Sequence, residues 1–194
     1  MHEQKTPSPW MVRHAQLVQP GSSLLDVACG RGRHAKFFAQ HGALVTAVDI
    51  DEAALASFRG FHAIVQERRD LEKYGWPYAP ESFDCIVVCN YLWRPIAMSL
   101  LASIKPGGLL LYETFMDGNE RFGSPSRQEH LLRANELLQW IDGSFDTLAT
   151  EQNYEFGSGG LPFAKKQKIA ATKHAVKLVV AGATLIGDAD AAAD

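Results

Sequence analysis

The chain has 194 residues, 46% hydrophobic and 21% charged, with a formal net charge of −3 at pH 7. That length suits one domain with a full core, and the near-neutral balance gives no electrostatic case for nucleic acid or an acidic membrane surface. Three cysteines in apolar runs (Cys29, Cys85, Cys89), no apolar leader within Met1 to Pro9, and a longest late apolar stretch of only Val176 to Ile186 predict a cytoplasmic protein with reduced thiols and no membrane span.

Met1 to Pro9 reads as loose chain, and Trp10 to Val18 as a short helix ended by Pro20-Gly21. The apolar run Leu24-Leu25, Val27-Ala28 then stops at Cys29-Gly30-Arg31-Gly32. A periodic segment through Ala35, Phe37, Phe38 and Ala39 follows, so Leu24 to Gln40 reads as strand, glycine turn and helix. Leu44 to Val48 is a second strand ending at Asp49-Ile50-Asp51, with Asp51 the N-cap of a helix from Glu52 to Phe58. Ala63 to Val65 is a short third strand closed by Arg69-Asp70-Leu71. Phe83 to Cys89 is a near-continuous apolar run, as in a strand buried on both faces. Arg94 to Ile104 reads as helix, Lys105-Pro106-Gly107-Gly108 as a turn, and Leu109 to Phe115 as another buried strand. This alternation predicts a parallel α/β sheet.

Met116 to Arg133 breaks the rhythm with Gly, Pro, Ser and Arg, and reads as an insertion or lid. Asn135 to Ile141 resumes as helix. Phe145 to Phe156 and Lys166 to Thr172 flank Gly157-Ser158-Gly159-Gly160 as an antiparallel pair. The basic cluster Lys165-Lys166 with Lys168 is expected on a solvated strand edge. Residues 1–173 are read as one domain, and 174–194, ending in an Ala/Asp tract, as an appendage.

The glycine turn offers close backbone approach and unpaired N–H groups to a ligand. Gly30-x-Gly32-x-x-Ala35, with Asp49 at the end of the next strand, formally fits a dinucleotide fingerprint. Asp26 argues otherwise. A carboxylate ahead of the turn repels a pyrophosphate and suits a ligand carrying positive groups, such as a sulfonium amino acid.

At these residues a family resemblance enters. Asp26-Val27-Ala28-Cys29-Gly30-Arg31-Gly32 is similar to the first motif of class I S-adenosylmethionine-dependent methyltransferases, with Ala28 in place of the first glycine. Val45 to Asp51, Arg69-Asp70-Leu71, Phe83 to Asn90 and Lys105 to Gly108 resemble the later motifs in order, so the resemblance covers residues 10–173. The phrasing ACGRGRHA and the short chain look like the small tellurite-resistance-type methyltransferases.

The resemblance implies a seven-strand, mostly parallel Rossmann-like sheet of order 3-2-1-4-5-7-6, strand seven antiparallel, with helices on both faces. It implies S-adenosylmethionine as cofactor, over the carboxyl ends of strands one and four. Residue by residue, it puts Asp26 at the methionine amino end and lines the ligand with Ala28, Cys29 and Gly30 backbone. Asp49 with Ile50 meets the ribose, Asp70 with Leu71 the adenine, and Asn90 with Tyr91 the space beneath the methyl group. The expected reaction is in-line methyl transfer to a small-molecule acceptor. Tyr112, Glu113 and His130 are candidate bases, and Trp93, Arg94, Arg121 and Arg133 candidate acceptor contacts; the arginines point to an anionic acceptor. No His-x-x-x-His or Cys-x-x-Cys pair occurs, so no metal site is predicted. Two rivals stand beside this reading. One is a non-catalytic S-adenosylmethionine-binding or regulatory module. The other is an NAD-dependent oxidoreductase, against which stand Asp26 and the absence of a Tyr-x-x-x-Lys pair.

Overall fold

The computed structural model describes residues 6–175. Of the proposed appendage 174–194, all beyond Ala175 lies outside the described residues. The architecture is one seven-stranded sheet of order β3-β2-β1-β4-β5-β7-β6. Its strands are β1 Ser23–Val27, β2 Leu44–Asp49, β3 Ile64–Arg68, β4 Phe83–Cys89, β5 Ile104–Phe115, β6 Phe145–Phe156 and β7 Pro162–Lys173. The first five run parallel, and β7 is antiparallel to both β5 and β6. The implied order is the observed one.

β4 is apolar almost throughout because both its faces are covered. One face of the sheet packs Leu25, Val27, Ile86, Val88, Leu110 and Tyr112 against Ile96, Leu100 and Leu137. The other packs Leu24, Val45, Ala47, Cys85, Val87 and Leu111 against Trp10, Phe38 and Phe58. Adjacent residues of one strand thus feed opposite cores, as the two-residue period of a strand requires. Six short helices cover these faces: α1 Pro9–His14, α2 Arg33–Gln40, α3 Glu52–Leu55, α4 Leu71–Tyr74, α5 Ala97–Ala102 and α6 Glu136–Ile141.

Three local expectations are corrected. Lys105 to Gly108 does not precede a strand; it is an irregularity inside β5. The pairing jumps from Phe83↔Ile104 to Cys85↔Leu109, and Lys105 holds Asp84 across the gap at 2.8 Å. Thr6 to Pro9 is not loose. Ser8 is buried, and its side chain caps α1 by accepting the Trp10 N–H. The lysine cluster is not a solvated edge, because β7 lies between β5 and β6; Lys166 and Lys168 are only 6% and 8% exposed. Lys168 finds Glu151 and Glu155 on the neighbouring β6, as a buried ammonium must find acceptors.

Candidate functional site at the carboxyl ends of the parallel strands

β1 ends where the backbone turns left-handed. Ala28, Gly30 and Gly32 have φ of 50°, 54° and 73°. A non-glycine residue there costs about 1 kcal/mol, so Ala28 stands in a conformation that glycine adopts without strain. Gly32 is fixed by space as well as by φ: a Cβ on it would lie 2.0 Å from Phe58 ring carbons. A Cβ on Gly30 would meet nothing within 4 Å, because that residue borders an open cleft. The turn is tied to β2 through Asp49, whose carboxylate accepts the Gly30 N–H at 2.7 Å and the Asp51 N–H at 2.9 Å. Asp51 caps α3 as expected, accepting from Ala53 and Ala54 N–H.

Two clefts open at this end of the sheet. The first, about 480 Å³, is lined by Ala28, Asp49, Ile50, Asp70, Leu71 and Trp93 among others. The second, about 800 Å³, runs over Cys29, Gly30 and Arg33 to Asn90, Thr114 and Phe115; its far wall includes Pro125, His130 and Phe163. Tyr91 and Glu72 border both, so the clefts adjoin. Asp70 also caps α4, accepting the Glu72 and Lys73 N–H groups through a single oxygen.

Asp26 does not line either cleft. It is 1% exposed behind the turn, and its carboxylate accepts the Ala35 N–H at 2.9 Å, at the start of α2. Burial pushes its carboxyl up to about 7, against the pull of that hydrogen bond and of the Arg33 charge. Burial likewise raises the Cys29 and Cys85 thiols, which keeps both protonated.

Beneath the second cleft lies a buried polar cluster with no equivalent in the sequence reading. Glu113 accepts from the Ser8 hydroxyl at 2.6 Å, the Cys89 thiol at 2.9 Å and the Lys166 ammonium at 3.3 Å. Burial alone would raise its carboxyl, but Lys166 and the hydrogen bonds outweigh that and hold it below the usual range. His34, buried at the start of α2, accepts the Ser8 N–H at 3.1 Å. Burial lowers its pKa to about 3, so it stays neutral. Arg33 donates to the Thr6 carbonyl and approaches the Cys89 sulfur at 3.1 Å. The segment from Thr6 to Ser8 is thereby strapped across this end of the sheet.

Among the candidate bases, only His130 borders either of these two clefts; Tyr112 lines instead a cavity of about 10 Å³ with Tyr91, Trp93 and Trp140. Tyr112 is directed into the opposite core, where its hydroxyl donates to the Tyr91 carbonyl and burial raises its pKa. Glu113, one residue along, faces the buried cluster instead. Neither residue lines the two clefts. Of the candidate acceptor contacts, Trp93 borders the first cleft. Arg94 is engaged elsewhere: it pairs with Glu136 at 2.6 Å and donates to the carbonyls of Glu129 and Leu131. It is a brace for the inserted segment. Arg121 and Arg133 are exposed and border neither cleft. The segment Met116 to Arg133 contributes Ser124, Pro125 and His130 to the second cleft, with Met116 bridged to Leu132 and Asn119 joining Pro125 to Lys165. Among the described residues, no group of three or more His, Cys, Asp or Glu side chains is placed to hold a metal, and no helix is long and apolar enough to cross a membrane.

Comparison with known proteins agrees with this geometry. Residues 24–108 match the family model described as "Methyltransferase domain". A stretch of 98 residues is 42% identical to the ribosomal protein L11 methyltransferase of Burkholderia mallei (strain NCTC 10229), covering 48% of this chain and 32% of that protein; the chain thus spans about a third of the length of the curated relatives it matches. The fold is similar to that of TehB from Haemophilus influenzae, with a TM-score of 0.69 and 19% identity over 86% of this chain and 62% of that one. It is also similar to the 1,6-didemethyltoxoflavin-N1-methyltransferase of Burkholderia thailandensis, solved with its substrate and S-adenosylhomocysteine bound. There the TM-score is 0.62 and the identity 19%, over 85% of this chain and 76% of that one.

Proposed function

We propose that this chain is a class I S-adenosylmethionine-dependent methyltransferase that transfers the methyl group of its cofactor to a small acceptor by in-line displacement, a reading supported by the methyltransferase-domain match over residues 24–108 and by the strand order. The observation that carries the reading is the pair of adjoining clefts, one with carboxylates at its base and the other running over the glycine turn. The donor set fits the cofactor. Asp49 and Asp70 can accept from ribose hydroxyls and an adenine amino group, and a pyrophosphate would meet carboxylates where it needs donors. Ile50 and Leu71 flank these acids as apolar walls. Ala28, Cys29 and Gly30 bring backbone to the methionine arm, and Asp26 acts on its amino end from behind the turn, through space. Tyr91 borders both clefts and Asn90 the second, beneath the path of the methyl group.

When bound, S-adenosylmethionine supplies an electrophilic methyl on a sulfonium. The chain's share of the work is to hold the acceptor atom about 3–3.5 Å from that methyl and in line, a positioning effect worth about 7–11 kcal/mol. Pro125, His130 and Phe163 wall the second cleft, beside the space an acceptor would occupy. His130 is the one candidate base left at the cleft, for an acceptor that must lose a proton.

A non-catalytic binding module would be expected to block the space over Asn90. Here Asn90 is exposed and borders the larger cleft, which favours turnover. The test is to incubate the protein with methyl-labelled S-adenosylmethionine and a panel of small carboxylic acids, phenols, thiols, amines and reduced selenium or tellurium species. Acceptor-dependent formation of S-adenosylhomocysteine is expected. Tight S-adenosylhomocysteine binding with no turnover on any panel member would favour the binding-module reading.

A further inference from the structure

Asn90 directly follows β4 and borders the second cleft, in a left-handed conformation with φ of 59°. Its backbone N–H is fixed on the Glu113 carbonyl at 2.9 Å. Its side-chain oxygen lies 2.6 Å from the Lys166 ammonium. A lysine ammonium has three donors and no acceptor, so only the amide oxygen of Asn90 can face it. Lys166 cannot turn away easily. It is 6% exposed, holds Glu113 at 3.3 Å and lies 5.0 Å from the Phe115 ring centre. The amide nitrogen of Asn90 therefore points away from Lys166, and among the described residues it bonds to no protein group. The charged side chains on this side of the cleft, Lys166 and Arg33, are donors as well. The acids bordering the cleft, Asp51 and Glu72, belong to the α3 and α4 side, and Asp51 is engaged in capping.

On this basis, and resting on the methyltransferase reading above, we propose that Lys166 is a positioning residue that turns Asn90 into a hydrogen-bond donor, so that the site takes a small organic acid through its deprotonated heteroatom and rejects the matching amine. Methylating a deprotonated oxygen or sulfur forms the new bond from the acceptor's own lone pair. The pair from the broken carbon–sulfur bond stays on sulfur, and no proton has to leave. A neutral amine must instead be oriented through its N–H groups, and Asn90, with its amide oxygen held by Lys166, offers them no acceptor. The body of the acceptor is apolar. Leu92, Phe115, Pro125 and Phe163 line a volume of about 800 Å³, far more than a bare oxyanion fills.

The test uses the full chain saturated with S-adenosylhomocysteine, with benzoate and aniline as size-matched probes. Binding is followed through the side-chain amide resonances of Asn90. Benzoate is expected to shift them and to bind about tenfold or more tightly than aniline, the scale of one charge-assisted hydrogen bond. Lys166→Met frees the amide to rotate and should collapse that preference, whereas Lys166→Arg, which keeps a donor on the Asn90 oxygen, should retain it. Asn90→Asp, which leaves Lys166 paired, should weaken benzoate and favour aniline. Aniline binding as well as benzoate in the wild type overturns the proposal. So does an unchanged preference in both Lys166→Met and Asn90→Asp, or an Asn90 amide that neither probe moves. Failure of the wild type to bind S-adenosylhomocysteine would instead overturn the methyltransferase reading, and the same samples report it.

Discussion

Replacing Asp26 by asparagine isolates the electrostatic cost of a carboxylate sealed behind the glycine turn. In the native chain this carboxyl sits at about 7, against 3.8 for the free side chain, chiefly because burial disfavours its charge. An acid raised on folding binds more protons in the native state than in the unfolded one between those two values. Its favourable contribution is thus complete below 3.8 and is lost as pH rises through about 7, after which the loss is constant. About three units at 1.36 kcal/mol each make the loss about 4 kcal/mol. The variant keeps an oxygen for the Ala35 N–H and has no charge to bury. Urea unfolding of both proteins from pH 4 to pH 8 gives the difference directly, and subtraction cancels Glu113, Glu136 and Asp84, whose lowered values work in the opposite sense. Wild type is expected to lose about 1.4 kcal/mol per pH unit relative to Asp26→Asn up to pH 7, and then to level off. Saturating S-adenosylhomocysteine, whose amino group is cationic, should reduce that loss. A difference that is flat across the range, or one that grows in favour of wild type with pH, would refute the reasoning.

The two glycines of the turn should fail in different ways. Gly32→Ala drives a Cβ into Phe58 and should lower stability by about 3 kcal/mol or more in denaturant unfolding. Gly30→Ala meets open space, so it should cost only about 1–2 kcal/mol of stability but weaken S-adenosylhomocysteine binding, as titration calorimetry would report. Arg94→Ala removes the brace on the inserted segment and leaves Glu136 unpaired. Amide exchange should quicken around Leu131 and Leu132 while β1 and β4 keep their protection; uniform exchange across the chain would contradict that local role.

Much of the scaffold was legible because it is local. The run from Leu24 to Gln40 encodes strand, turn and helix in its own periodicity, and the acid at Asp49 follows at the end of the next strand. Strand order came from the family resemblance, since periodicity carries no information about which strands pair. What stayed hidden depends on pairing and register. Lys166 reads as a surface lysine until β7 is inserted between β5 and β6, and only then does it become the buried partner of Glu113 and Asn90. Tyr112 and Glu113 are adjacent and both plausible as bases, but the strand's alternation sends one to each face. Arg94 finds its partner 42 residues away, and Ser8 closes on Glu113 across 105 residues. No spacing rule reaches that far. The one signal available was Arg33 at a helix start, where a cation opposes the helix dipole; the structure ties it and the neutral His34 beside it to the Thr6–Ser8 strap.

The central claim is that the clefts at the carboxyl ends of β1, β2 and β4 hold S-adenosylmethionine, with Asp49 as the ribose ligand. Isothermal titration of the wild type and of Asp49→Ala with S-adenosylhomocysteine and with NAD tests it most directly. One S-adenosylhomocysteine should bind per chain and NAD should not. Asp49→Ala should weaken binding by about a hundredfold or more, since two hydrogen bonds to a charged oxygen pair are worth about 3–6 kcal/mol together. NAD binding as tight as S-adenosylhomocysteine, or an Asp49→Ala protein that binds S-adenosylhomocysteine like the wild type, would contradict the account.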